Sequence, residues 1–335
     1  MSLSTQTWRV SAKYNISSAS STVITQLEMI IAIKAMFDAE DVIGSSSWSY
    51  VAADTTAGYI ILKRKGSPSG TLASFRAIIF GHTSNTAHSS NLLLGAANTA
   101  NQLYVASSED GANNTIANAW TAGAALTGKY VPGTTALTAS FGAGSSSTPK
   151  VFMIDSDEVC YIFVTTSNNT NVGCMIGVGA VAEKFDGTAV WGYVHSRGTS
   201  NGQDAGTEGI STSGLMCMSG IDSGSSSIGS GGYYDNSAAR ALGRINAIIA
   251  NSSGFTYDGL QDAGNSYAVL MPILLGSKST ASGPVNYTGL LRQARMGPRV
   301  TAQVGLKNAG GTTVAYAINA GYNALGHGLV LDTVA

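Results

Sequence analysis

The chain has 335 residues, a formal net charge of -1 and only 11% charged residues, less than half the share of about 25% usual in soluble domains. So sparse and balanced a charge gives no field to gather nucleic acid or anionic lipid, and neither a nucleic-acid nor a membrane partner is expected; it also gives little colloidal repulsion, which favours association. Glycine at 41 residues against 6 prolines, without a strict period, excludes a collagen-like chain and points to turns and small-residue packing in a β-rich protein.

The opening MSLSTQTWRV lacks a basic stretch leading into an apolar one, so no signal peptide is expected, and the longest apolar run is too short to span a bilayer. An alternating strand is expected over 7–14. A helix follows over 22–38, TVITQLEMIIAIKAMFD, capped by Ser21 or Thr22, with Val23, Leu27, Ile30 and Ile31 on its apolar side and Gln26, Glu28 and Lys34 away from it. A turn through Gly44, Ser45, Ser46 and Ser47 ends it.

Strands then dominate. The segments 48–52 and 58–63 form a hairpin about 53–57, and 74–80 and 102–107 add two more strands. Segments 150–154 and 159–166 enclose the acidic turn DSDE, while 174–181 and 188–195 enclose KFDG. The Gly/Ser-rich stretch 197–236 reads as a long loop or excursion, and 238–250 as a short helix with Leu242, Ile245 and Ile249 on one side. Segment 267–275 is an apolar strand whose Pro272 favours an edge or a bulge. The segments 300–306 and 313–318 pair across 308–311, and 328–334 is a last strand.

The predicted class is therefore mainly β (α+β): antiparallel sheets arranged as a sandwich or barrel, with an N-terminal amphipathic helix and one later short helix. The expected division is a helix-plus-β domain over 1–147 and a second β domain over 148–335 carrying the Gly/Ser-rich insertion near 197–236.

Few motifs carry chemistry. GAALTGKY at 123–130 matches a phosphate loop except that Tyr130 stands where a Mg²⁺-binding hydroxyl belongs, and Pro132 and Gly133 break the helix such a loop would open. GVGAVA at 177–182 resembles a dinucleotide fingerprint but runs into a turn with no room for a crossover helix, and reads as a strand. Asp155, Asp157 and Glu158 offer hard oxygen ligands without calcium-loop spacing, so a solvated hairpin turn is expected.

A serine hydrolase would need His82, His88, His195 or His327 to meet a serine and an acid, yet no nucleophile elbow is present. Cys160, Cys174 and Cys217 have no metal-site spacing; they read as buried small hydrophobes, with a Cys160–Cys174 pair across a hairpin or an intermolecular cross-link as alternatives. No catalytic residue, metal or cofactor is expected. Arg292, Arg295 and Arg299 form the densest basic cluster, read either as a solvated connection between strands or as a partner for acidic residues of a neighbouring subunit, such as Asp155, Asp157 and Glu158.

The segments GSSSWSYVAADTTAGYIILKR and PILLGSKSTASGPVNYTGLLRQARMGPRV, with Ser45 to Ser47, Trp48, Leu290 and Leu291 as anchors, resemble the opening and closing regions of virion structural proteins of tailed bacteriophages. The middle, 110–260, departs from that pattern in being richer in Gly and Ser. The resemblance implies no catalytic residues. It implies a non-enzymatic protein of the virion, made in the host cytoplasm and self-assembling with copies of itself and other virion proteins at the neck or collar, tail, or head exterior. The alternative is a fibre or adhesin module whose Trp191, Tyr193, Tyr233 and Tyr234 stack on host-surface glycan.

Overall fold

The computed structural model describes residues 8–16, 26–56, 58–81, 102–108, 137–138, 150–165, 172–197, 215–217, 271–278, 285–298, 304–307, 313–318 and 327–332. In chain order, β1 (Arg9–Val10) and β2 (Tyr14–Asn15) precede helix α1 (Gln26–Ile43). Then come β3 (Trp48–Asp54), β4 (Tyr59–Arg64), the short α2 (Thr71–Ser74), β5 (Arg76–Gly81), β6 (Gln102–Ser108) and β7 (Leu137–Thr138). The second half carries β8 (Lys150–Asp155), β9 (Val159–Thr165), β10 (Val172–Lys184), β11 (Ala189–Arg197) and β12 (Leu215–Cys217). It closes with β13 (Met271–Lys278), β14 (Val285–Pro298), β15 (Val304–Lys307), β16 (Thr313–Ile318) and β17 (His327–Asp332).

The chain is mainly β, as its composition and turn spacing predict, and every pair of described strands is antiparallel. β3 to β7 form a five-stranded meander. The other twelve strands form one sheet in the order β1-β8-β9-β10-β14-β17-β16-β15, with β2 on β8, β11 on β10, β12 on β11 and β13 on β14. The β3–β4 hairpin follows from its turn chemistry: the Asp54 carboxylate accepts the Thr56 amide at 2.8 Å, and the Gly58 amide closes on the Asp54 carbonyl at 2.8 Å.

One core joins the two sheets. Ile60, Leu62, Ala77 and Ile79 from the meander pack in the same cluster as Met153, Cys160, Ile162, Ile176 and Val178 from the large sheet, together with Met29, Ile33, Met36 and Phe37 of α1. It thus draws on residues from both sides of position 147. Strand alternation sends Phe152, Ile154, Tyr161 and Phe163 to the opposite face of the large sheet, where they too are buried. Phe152 stacks on Phe163 at 5.1 Å and Trp8 packs on Tyr161 at 6.0 Å. Burial on both faces is why β8 and β9 read as nearly unbroken apolar runs.

Helix α1 runs past its predicted end at 38 to Ile43, and Gly44, at φ +73°, stops it by turning its amide back to the Glu40 carbonyl at 2.9 Å. Its buried side is Met29, Ile30, Ile33, Met36, Phe37 and Glu40, whereas Ile31, expected on the apolar side, is 50% exposed. The face is chosen by Glu40, whose buried carboxylate accepts bonds from the Ala12 amide at 3.2 Å, the Tyr14 hydroxyl at 2.6 Å and the Ser45 hydroxyl. Only one rotation of the helix puts that carboxylate among all three donors.

Three further expectations are corrected. Cys160 and Cys174 lie on adjacent strands, but Cys160 stands opposite Val178 and Cys174 opposite Val164, so they are not cross-strand partners; Cys160 is a free, buried thiol. The region around Arg292 and Arg295 is not a connection but part of the fourteen-residue β14, paired on both edges. Within the expected 197–236 loop, β12 pairs with β11. Pro272 does lie beside a register shift, on a strand paired only with β14 among the described residues. The predicted helix at 238–250 and GAALTGKY lie outside the described residues, while GVGAVA is part of β10.

Burial and the Glu40 carboxylate together push the Tyr14 phenol up to about 12. Glu40→Ala is expected to leave three donors without their acceptor and to cost about 3 kcal/mol of stability in denaturant unfolding. In the same variant the Tyr14 titration, followed by tyrosinate absorbance, should move back down toward its ordinary value.

Candidate functional site

The DSDE turn between β8 and β9 gathers polar contacts from both sheets, and it does so because an apolar strand delivers a carboxylate into the core. Asp155 ends β8 opposite Arg9 of β1 on one side and Cys160 of β9 on the other. It is 1% exposed. Its Oδ2 accepts the Ser47 amide at 2.6 Å and the Ser46 hydroxyl at 3.2 Å. Burial pushes its carboxyl up to about 6, against the opposing pull of the Ser47 amide, Arg9, Ser46 and Arg64.

Its neighbours in the turn bind the meander as well. The Trp48 indole N–H donates to the Ser156 carbonyl at 3.0 Å, and the Ser47 hydroxyl donates to Asp157 Oδ1 at 2.9 Å. Arg64 of β4 grips the turn twice, Nε on the Asp157 carbonyl and Nη2 on Asp157 Oδ1, both at 3.0 Å, while its Nη1 reaches the Ser47 carbonyl at 2.9 Å. Arg9 Nη2 meets the same Asp157 oxygen at 3.0 Å. Partial burial works against the Asp157 charge, but the Ser47 hydroxyl and both guanidiniums outweigh it and hold this carboxyl below the usual range.

On its far side the turn closes a seam within the large sheet. β10 pairs with β9 as far as Gly179 and with β14 from Ala182 onward. In between, the Ala180 amide donates to the Glu158 carbonyl at 3.0 Å. Gly179 has φ +110°, and a Cβ there would stand 2.1 Å from the Glu158 carbonyl oxygen and 3.1 Å from Trp48 Cζ2, so only glycine fits. β14 in turn leaves β10 after Leu291 and takes β17 from Ala294, with Gln293 at φ +57° between them. Arg292, at that break, places Nη1 2.6 Å from Glu158 Oε2 and Nε 3.9 Å from Glu183 Oε2.

The structure brings Arg292 to the DSDE turn within one chain, where it pairs with Glu158; the contact that one of the two sequence readings placed between subunits is made internally. Nor is the turn simply solvated, since Asp155 and Ser156 are buried. Arg295 stands in register with Pro272 and Val330, and Arg299 lies outside the described residues. Of the aromatic set, Tyr193 is fully buried and has no ring face to offer a sugar, while Trp191 is half-buried with its ring 5.5 Å from Phe75. Tyr233 and Tyr234 lie outside the described residues.

Sequence reasoning missed Arg9, Arg64 and Gly179. The available signal was an Asp at the end of the apolar run VFMID, which implies a buried carboxylate needing donors, and a serine run beside Trp48 that supplies them. Chemically, most of the assembled groups satisfy one another, while Arg9 Nη1 and Gln293 Oε1 are buried without a hydrogen-bond partner among the described residues. Among the described residues no three His, Cys, Asp or Glu side chains are grouped as a metal site would need. No protein-family model, characterised protein or solved structure matches the chain.

Gly179→Ala is expected to force the Glu158 carbonyl away and to lower stability by about 3 kcal/mol or more. Trp48→Phe keeps most of the packing but strands the Ser156 carbonyl, for a loss of about 2 kcal/mol. Both are read as shifts of the urea unfolding midpoint.

Proposed function

We propose that this chain is a non-enzymatic structural protein of a tailed-phage virion that assembles with copies of itself into a ring or surface layer at the neck, collar or tail, or on the head. The observation that carries the reading is where the chain puts its few charges. Arg9, Arg64, Asp157, Glu158 and Arg292 bind one another within the chain, as do Lys34 with Asp38 and Lys65 with Asp41. Three large apolar side chains of α1 nonetheless stay exposed, Ile31 at 50%, Val42 at 88% and Ile43 at 64%, on a face they share with the Lys34–Asp38 pair and Asp41. Ile31 and Val42, eleven residues apart, fall within about 20° of each other around the helix, with Ala35 and the paired Asp38 between them. Phe185, at the tip of the β10–β11 turn, is 51% exposed.

Exposed apolar side chains among mutually neutralised charges, on a chain with little charge repulsion, favour burial against another surface, and a second copy is always at hand. The shared core of the two sheets supports the finer reading that they pack as a β-sandwich, with α1 closing one end.

Sedimentation velocity on the full chain at micromolar concentration tests the assignment: a discrete oligomer is expected, dispersed toward smaller species by Ile31→Asp together with Val42→Asp. A wild-type protein that remains monomeric would contradict it.

A further inference from the structure

Asp155 differs from the other acids of the junction in having no cation within ion-pair distance among the described residues. Asp157 takes both Arg9 and Arg64 at 3.0 Å, and Glu158 takes Arg292 at 2.6 Å. Among the described residues Asp155 receives an amide and a hydroxyl, from Ser47 and Ser46, and it is 1% exposed. Among the described residues, the groups facing it come from four strands, its own turn and one connection. β1 brings Arg9 and β4 brings Arg64, both engaged on Asp157. Its own turn brings Asp157 and Glu158, of its own sign, and β9 brings the buried Cys160 thiol, held neutral by burial and then by the Asp155 charge itself. The connection from α1 to β3 brings serine donors, and β10 brings the uncharged Gly179 and Ala180 to the adjoining end of the turn. Arg9 keeps a buried Nη1 without a hydrogen-bond partner among the described residues, but it too lies beyond ion-pair distance, and a desolvated carboxylate with no cation that close is costly when ionised.

We infer that the junction between the two sheets is a proton-operated lock, tightened when Asp155 takes up a proton and loosened when it gives the proton up. The direction of its titration agrees: burial raises the folded-state carboxyl to about 6, above the ordinary 3.8. The folded chain therefore holds an extra proton between those two values, and the stability contributed by this group grows as pH falls through 6. Asp157 behaves oppositely. Its lowered carboxyl adds stability above the ordinary value that is lost only in stronger acid. The inference concerns the fold of one chain and stands whether or not the chain belongs to a virion.

The test compares wild type with Asp155→Asn, which keeps an oxygen for the Ser47 amide and removes the titration, by urea unfolding at pH 5 and pH 7. The wild-type folding constant is expected to be about tenfold larger at pH 5 than at pH 7 once the variant's own pH dependence is divided out. Hydrogen exchange at the Ser47 amide, corrected for intrinsic rate, should show rarer opening at pH 5 in the wild type alone. Identical pH dependence in the two proteins would overturn the lock. Should the variant not fold, the carboxyl carbon of Asp155 is titrated by NMR in the wild type: a midpoint near 6 supports the inference, and one at or below 4 overturns it.

Discussion

The four residues Asp155 to Glu158 are the constraint from which the rest of the structure follows. A tight turn between two apolar strands needs solvent or partners for its polar groups, and here the core denies solvent to its first half, Asp155 and Ser156. Ser46, Ser47, Trp48 and Arg64 answer from the meander, Arg9 from the N-terminal segment, and Ala180 and Arg292 from the large sheet. Each donor fixes the element that carries it. The turn is therefore the place where the two sheets, the first strand and the internal seam of the large sheet are set relative to one another.

Apolar burial supplies the bulk of the stability, at roughly 1.5–3 kcal/mol for each fully buried Val, Ile, Leu or Phe, but it is tolerant of sliding and rotation. The polar contacts are not. Trp48 shows the division of labour: its ring packs edge-on against Phe75 at 6.2 Å, and its single N–H reaches one carbonyl of the turn. Glu40 does the same for α1. Surface ion pairs such as Lys34 with Asp38 add little by comparison, about 0.3–0.5 kcal/mol for a helical pair. In a chain with 11% charged residues, committing so many of the described charges to internal partners leaves the exposed Ile31, Val42 and Ile43 of α1 beside only paired charges, Lys34 with Asp38 and Lys65 with Asp41.

What the sequence revealed and what it hid have separate causes. The β3–β4, β8–β9 and β10–β11 hairpins were legible because Asp54 and Gly58, DSDE and KFDG are local turn chemistry between strands that alternate or run apolar. β14 was not, because VNYTGLLRQARMGP carries two glycines, two arginines and a proline and has no period; it is a strand only because β13, β10 and β17 pair with it over long sequence separations. Ile31 was misplaced because α1 has β-branched residues on several sides, and a distant partner set for Glu40 decides which side is buried. The acidic residues of the turn were legible as a cluster. The burial of Asp155 and the partners of Asp157 were not, since Arg9 and Arg64 lie 148 and 93 residues away from Asp157.

If the turn unites the sheets, they must open together. Native-state hydrogen exchange of the backbone amides of Ile61 in β4 and Ile162 in β9 measures this directly. The account predicts one shared opening free energy for the two, equal to that of global unfolding; a β4 amide that exchanges through a lower-energy opening while β9 stays protected would contradict it.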